Sequence, residues 1–227
     1  MREILGSKIL IIGAHPDDEV LGCGGLMAAN FEANGITDIL IVSEGTSAQF
    51  NSDKKASLRR KKQLKDSASM LGVAEIFHWD YPDMRLDEIS HVELNSRIHN
   101  LIEEGEYKYI FTHHPHDVNL DHQVVFRSTL VATRPTPTSK VRGVFTYFVS
   151  SSTEWAMGNV SERFVPTCFL DISYLIEKKL DAFSIYEEEI RQYPHPRSIK
   201  AIKNRAHVYG SDVGVLAAEA FSLIYWR

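Results

Sequence analysis

Residues 9–25, "ILIIGAHPDDEVLGCGG", run an apolar stretch straight into a histidine and three acids. Three consecutive carboxylates, Asp17, Asp18 and Glu19, repel one another and are costly to take out of water. A bound cation removes that objection, and so does a turn in which all three face solvent. The apolar run before them reads as a buried strand, "KILIIGA" (8–14). The segment after them, "LGCGGLMAANFEANG" (21–35), reads as a helix ending near Gly35. A strand feeding a helix through a His/Asp turn is the unit from which the rest of the fold is argued.

Strand and helix patterns alternate along the rest of the chain. Apolar stretches "DILIVSE" (38–44), "AEIFHW" (74–79), "KYIFTH" (108–113) and "VRGVFTYFV" (141–149) have strand length. They alternate with helix patterns over 55–71, stopped by Gly72, and over 91–104 and 121–134. Such alternation predicts an α/β protein, a mostly parallel sheet covered by helices on both faces. Beyond the break "PTPTS" (135–139) and the strand that follows it, helices are expected over 172–190 and from the "YPHPRS" turn (193–198) to about residue 209, with "AEAF" (218–221) packing the last element. There is no linker and no internal repeat, so a single domain over 1–227 is expected.

The composition excludes several function classes. The 227 residues carry 25 Lys and Arg against 30 Asp and Glu, a formal net charge of −5, which gives no support to nucleic-acid binding. The basic run Arg59-Arg60-Lys61-Lys62 reads mainly as a solvated helix face. No apolar stretch approaches a membrane span, and the N-terminus has no signal-peptide form. Two cysteines, Cys23 and Cys168, make no disulfide framework. A cytoplasmic location is the expectation.

Four of the ten histidines fall in "THHPHDVNLDHQ" (112–123), after the strand "KYIFT". Ligands in open α/β sheets bind beyond the carboxyl ends of the strands, so two His/Asp clusters on that edge form a constellation. His15, Asp18 and one histidine of the second cluster would supply a His₂Asp set with an open position for water. His122, which opens a helix, is the preferred third ligand; His113, His114 and His116 compete for the place. Asp17 would stand beside the water as a carboxylate base, an arrangement suited to hydrolysing an amide or ester. A dinucleotide loop is rejected because GxGxxG spacing is absent and the acids would repel a pyrophosphate. Gly22, Gly24 and Gly25 instead suit close packing of the first helix on the sheet.

"AHPDDEVLGCGG" followed about a hundred residues later by "HHPHDVNLDHQVV" resembles the LmbE/PIG-L superfamily of zinc-dependent N-deacetylases, and "LGV…YPDMRL" and "HPRS…AEAF" extend the likeness along nearly the whole chain. The resemblance implies a Rossmann-like three-layer fold and removal of acetyl from a GlcNAc-type amine in a small glycoconjugate or sugar nucleotide. It assigns His15, Asp18 and His122 to the metal, Zn2+ with Fe2+ as the alternative, and Asp17 to the general base. It also implies that Asp121 tunes a neighbour of the metal, that Arg60 faces the substrate, and that homo-oligomers form. Where relatives read HxxH, this chain has Asn119, an amide that can donate to an oxyanion but cannot act as a general acid. Protonation of the leaving amine then falls to Asp17, His116 or His195. Gln63 likewise replaces a family Glu.

Arg85, His195, Arg197 and Ser198 are candidate contacts for sugar hydroxyls or a phosphate, the alternative for the arginines being an ion pair with a surface acid. Asp83 is expected to hold its own turn and Glu219 to make a structural hydrogen bond. Trp79, Tyr81 and Trp155 are either sugar platforms or packing. The loop at 45–53 and the segment 150–165 are expected to read the rest of the substrate. Hydrolysis of another amide, an ester or a phosphoester, and carbohydrate binding without turnover, remain the alternatives.

Overall fold

The computed structural model describes residues 1–46, 54–156 and 160–227. Five strands run parallel: β1 (Lys8–Gly13), β2 (Ile36–Ser43), β3 (Glu75–Tyr81), β4 (Tyr109–His113) and β5 (Gly143–Tyr147). β6 (Cys168–Asp171) and β7 (Ala218–Trp226) complete a seven-stranded sheet in the order β3-β2-β1-β4-β5-β7-β6, with β7 antiparallel to both its neighbours. Among the described residues, six α-helices cover it: α1 (Asp18–Glu32), α2 (Lys54–Met70), α3 (His91–Gly105), α4 (Leu120–Ala132), α5 (Ile176–Ser184) and α6 (Ile199–Val213).

The apolar runs decide the layers. Side chains alternate across a strand, so a run that is apolar at every position must be buried on both faces. Ile9 and Ile11 of β1 pack with Ile39, Ile41 and Phe111 under α1, α2, α5 and α6. Leu10 and Ile12 face the opposite way, with Leu40, Val42 and Ile110, under Leu94, Ile98 and Ile102 of α3 and Val125 of α4. The result is a three-layer α/β domain with a mostly parallel sheet, as the alternation predicts.

The C-terminal third departs from the expectation. No strand was expected at 168–171, and "AEAF" begins the nine-residue β7, which inserts between β5 and β6. Its pattern carries no period-2 signal over its full length; pairing on both sides makes it a strand. The helix expected over 172–190 is shorter, α5, and is followed by a 3-10 turn at Glu187–Glu189. Helix α1 starts at Asp18 rather than Leu21, so the acids of the opening motif occupy its first turn, where the helix dipole favours negative charge.

The strand order reverses between β1 and β4, since β1 connects onward to β2 on one side and β4 lies on the other. Chains leaving the carboxyl ends of those two strands diverge and open a crevice at that point. Both His/Asp clusters are carried there. No helix among the described residues is long and apolar enough to cross a membrane. Both cysteines are free, Cys23 buried and Cys168 half-buried.

Candidate metal centre and active site

The turn between β1 and α1 is pinned from several directions. Ala14 N–H donates to His113 Nε2 at the end of β4 (2.8 Å), and its carbonyl accepts from Ser43 N–H and Oγ–H (both 2.9 Å) at the end of β2. His15 N–H donates to Asp18 Oδ2 (2.8 Å). Gly45 has φ +68°, and a Cβ there would come within 2.4 Å of Pro16 Cδ, so only glycine lets this loop close on the turn. Asp17 carries φ +121° and ψ −22°, a conformation unfavourable for any side chain but glycine. It is held by its N–H donating to Glu19 Oε2 (3.0 Å), while Glu19 Oε1 accepts from the Tyr186 hydroxyl (2.8 Å).

Three candidate ligands converge on this turn. His15 Nε2 lies 3.0 Å from Asp121 Oδ2 and 3.2 Å from Asp83 Oδ1, which places its proton on Nε2 and turns Nδ1 toward Asp18 Oδ2, 3.5 Å away. His122 Nδ1 donates to Asp117 Oδ1 (3.2 Å), turning its Nε2 toward Asp18 Oδ1 at 3.4 Å. Two imidazole nitrogens thus face one fully buried carboxylate, and Asp18 Oδ1 is buried without a hydrogen-bond partner among the described residues. Lone pairs opposed in this way are costly unless a proton or a cation lies between them. The ligating atoms of His15, Asp18 and His122 all lie within 4.8 Å of one another, and their donor set suits Zn2+ or Fe2+.

The same opposition sets the titration of the site. Burial disfavours charge on His122, but Asp18 and Asp117 outweigh it and lift the imidazole to about 9. Burial also opposes the Asp18 anion, which His122 nevertheless holds well below the ordinary carboxylate range. A centre that draws a proton this strongly also suits a cation. His113 behaves oppositely: burial and the neighbouring His122 lower it to about 4, so it stays neutral while its Nε2 accepts the Ala14 N–H. Its ring stacks on His122 with centroids 3.9 Å apart and forms a wall.

A polar cleft opens beside these groups, lined by His15, Asp17, Arg60, Asp83, Asn119 and Arg197, among others. Burial pushes the Asp17 carboxyl up to about 7, with Arg197 pulling against it and Glu189 adding to the rise. Arg197 Nη1 donates to Asp17 Oδ2 (2.9 Å) and to Glu189 Oε2 (2.5 Å), and Arg60 Nη2 donates to Glu189 Oε1. A carboxyl titrating near neutrality beside a candidate cation site is poised to accept and return a proton.

The family model for PIG-L, GlcNAc-PI de-N-acetylase, matches residues 10–133, more than half of the chain and both His/Asp clusters. The chain belongs to the PIG-L family. It is 28% identical over 137 residues to the Escherichia coli (strain K12) protein named uncharacterized deacetylase YaiS, covering 57% of this chain and 69% of that one. Its fold is that of the N,N'-diacetylchitobiose deacetylase from Pyrococcus horikoshii, with a TM-score of 0.76 and 20% identity over 96% of this chain and 83% of that chain. It is equally that of the 4-carboxy-2-hydroxymuconate hydratase from Pseudomonas putida KT2440, with a TM-score of 0.76 and 19% identity over 97% of each chain. The PIG-L match makes this chain a deacetylase by family; the last two likenesses, at such identity, concern the fold.

Within this PIG-L protein the other expected residues divide by position. Asn119 caps α4, its Oδ1 accepting from Asp121 N–H (2.9 Å), and its Nδ2 faces the Met84 sulfur at 3.6 Å on the cleft wall. Asp121 holds the His15 ring and also accepts Met84 N–H (2.8 Å) and Leu86 N–H (3.0 Å), tying the loop after β3 to the centre. His195 accepts the Arg197 N–H at Nδ1 (3.1 Å) and lies edge-on to Trp155, while Ser198 caps α6. His116 is exposed and packs edge-on to His114, whose Nε2 bonds the Glu162 carbonyl (2.8 Å). Arg85 is exposed and paired with Glu88 (2.5 Å). Trp79 and Tyr81 pack under the Arg97 guanidinium, 4.0 and 5.1 Å from their ring centres. Glu219 makes the expected structural bonds, and Gln63 donates to Glu188 (2.7 Å). Residues 47–53 and 157–159, parts of the two segments expected to read the substrate, lie outside the described residues.

Sequence reasoning missed Asp117, Glu189 and the reach of Asp83 toward His15. Asp117 had a signal, a carboxylate in "HHPHD" just ahead of the helix that carries His122. Glu189 had none, being the last of three consecutive glutamates between two helices.

Proposed function

We propose that the chain is a metal-dependent N-deacetylase that hydrolyses the acetamide of an N-acetylated amino sugar to free amine and acetate. The observation that carries this reading is Asp18 Oδ1, buried without a hydrogen-bond partner among the described residues, faced by His122 Nε2 and adjoined by Asp17 in the cleft. His15, Asp18 and His122 would hold Zn2+ or Fe2+, which supplies polarisation of the acetyl carbonyl and a more acidic water. Asp17 accepts the proton of the attacking water, and its position within the cleft lets it return that proton to the departing nitrogen. His116 and His195 do not line the cleft, so Asp17 serves as both base and acid in this scheme. The Asn119 amide N–H₂, whose present neighbour is a weak sulfur acceptor, is free to donate to the oxyanion. Asp121 fixes the His15 ring and Asp117 the His122 ring, each choosing the tautomer that leaves a lone pair for the cation.

The test incubates Zn2+-loaded protein with N-acetylhexosamine compounds, sugar nucleotides included, and measures free primary amine. Release is expected in the wild type and a loss of about 10²–10⁴-fold in Asp17→Asn, with metal content by elemental analysis unchanged. Full activity in Asp17→Asn would remove the assigned base. No release from any acetamide, with one metal ion still bound, would move the site to other amides and esters.

A further inference from the structure

Two guanidinium groups line the cleft, Arg60 and Arg197. A pair of arginines beside a sugar site ordinarily marks a subsite for phosphate or carboxylate, because their forked donors match such oxygens. Here a side chain of the protein already occupies that position. Glu189, 3% exposed, accepts from Arg60 at Oε1 and from Arg197 at Oε2. Burial pushes its carboxyl up, but Arg60 and Arg197 outweigh that and hold it below the ordinary range, so it is ionised. Among the described residues, the cleft lining sets three carboxylates, Asp17, Asp83 and Glu189, against the two guanidinium groups.

One donor remains. Arg60 is 4% exposed, its Nη2 is taken by Glu189, and its Nη1 is buried without an acceptor among the described residues. A phosphate oxygen would have to share the guanidinium with a carboxylate already bonded to it, in a site where solvent screening is weak.

We propose that Glu189 is a specificity-determining residue: by occupying both arginines it restricts the cleft to sugars that are uncharged where they meet Arg60 and Arg197, and excludes phosphorylated and acidic ones. The inference rests on the sugar-deacetylase reading of the same site. Glu189 achieves the exclusion by repulsion and by blocking the forked donors.

The experiment compares kcat/KM for N-acetylglucosamine and its 6-phosphate, which share the scissile amide, in wild type and in Glu189→Gln. Binding of inorganic phosphate to the same proteins is followed in parallel by calorimetry. Wild type is expected to favour the uncharged sugar by at least about tenfold, and Glu189→Gln to narrow or invert that ratio and to gain about tenfold in phosphate affinity. Glu188→Gln, which alters the neighbouring carboxylate that pairs outside the cleft with Gln63 and Arg59, is expected to leave the ratio unchanged. A wild type that prefers the 6-phosphate, or that binds phosphate as tightly as Glu189→Gln, overturns the inference. Equal loss on both sugars in Glu189→Gln, with no gain in phosphate binding, also overturns it and leaves Glu189 a purely structural residue. Should neither sugar be deacetylated, the phosphate measurement still decides the role of Glu189, and the failure belongs to the deacetylase reading.

Discussion

Asp17 sits where glycine would ordinarily be chosen, at φ +121°, and the strain is tolerated because Glu19 and Arg197 hold the residue from both sides. Glu19 is part of the same device but is fully buried, and burial raises its carboxyl to about 8 despite the Asp17 and Tyr186 donors. An acid raised in this way binds more protons folded than unfolded. Its contribution to stability is complete below the unfolded value of about 4.5 and is lost as pH rises through about 8. Urea midpoints of the wild type should therefore fall across that window more steeply than those of Glu19→Gln; parallel profiles would show that Glu19 is already ionised in the fold. Asp117 acts on His122 as Glu19 acts on Asp17. Asp117→Asn should weaken metal affinity about 10–100-fold while the fold persists, which competition with a chelator would measure. Unchanged affinity would mean that Asp117 serves only Ser152 and Thr153.

Helix α1 presents Asp18 and Glu19 in its first turn, and its placement depends on an interaction about two turns further on. Glu219 of β7 accepts the backbone N–H of Gly25 and of Leu26 (2.7 Å each), and Lys179 of α5 bridges Glu219 Oε1 (2.6 Å) to the Leu21 carbonyl (2.8 Å). A Cβ on Gly25 would lie 2.5 Å from Ile172 Cγ2 and 3.0 Å from the Glu219 carboxyl carbon, so glycine admits the carboxylate to the helix backbone. Glu219→Ala leaves the Lys179 ammonium buried and uncompensated, and should cost roughly 3–5 kcal/mol in urea unfolding. Replacing Lys179 and Glu219 together by apolar residues of similar volume should recover much of that loss, although Gly25 and Leu26 N–H then lose their acceptor. A cost below about 1 kcal/mol for Glu219→Ala would show that the pair contributes little to holding α1. The "AEAF" sequence carried the expectation of a structural Glu219; the strand that delivers it, and Lys179 as its counter-ion, were not legible, because both depend on β7 entering the sheet antiparallel beside β5.

At the scale of the molecule, the candidate metal ligands come from the start of α1 and the start of α4, brought together by the pairing of β1 with β4. A cation bound by His15, Asp18 and His122 would cross-link chain segments about a hundred residues apart, and would bind the folded state alone. Zn2+ at 100 times its Kd should then stabilise the wild type by about 2.7 kcal/mol, visible as a higher Tm, and His122→Ala should lose the shift. An unchanged Tm on adding Zn2+ to metal-free wild type would count against the centre.

The strands β1, β2, β4 and β5, and the carriage of both His/Asp clusters on their carboxyl ends, were determined by the sequence itself, because continuous apolar runs at strand length can be satisfied only by burial on two faces. The convergence of His15, Asp18 and His122 was legible for the same reason, once both clusters were placed on one sheet edge. The tertiary structure alone decided that Asp117 orients His122, that Glu189 bridges Arg60 and Arg197, and that "AEAF" opens an inserted antiparallel strand. Local patterns record how much of a segment is buried. They do not record which distant charge or strand it meets, since that choice is made by packing between segments that the chain brings together only when folded.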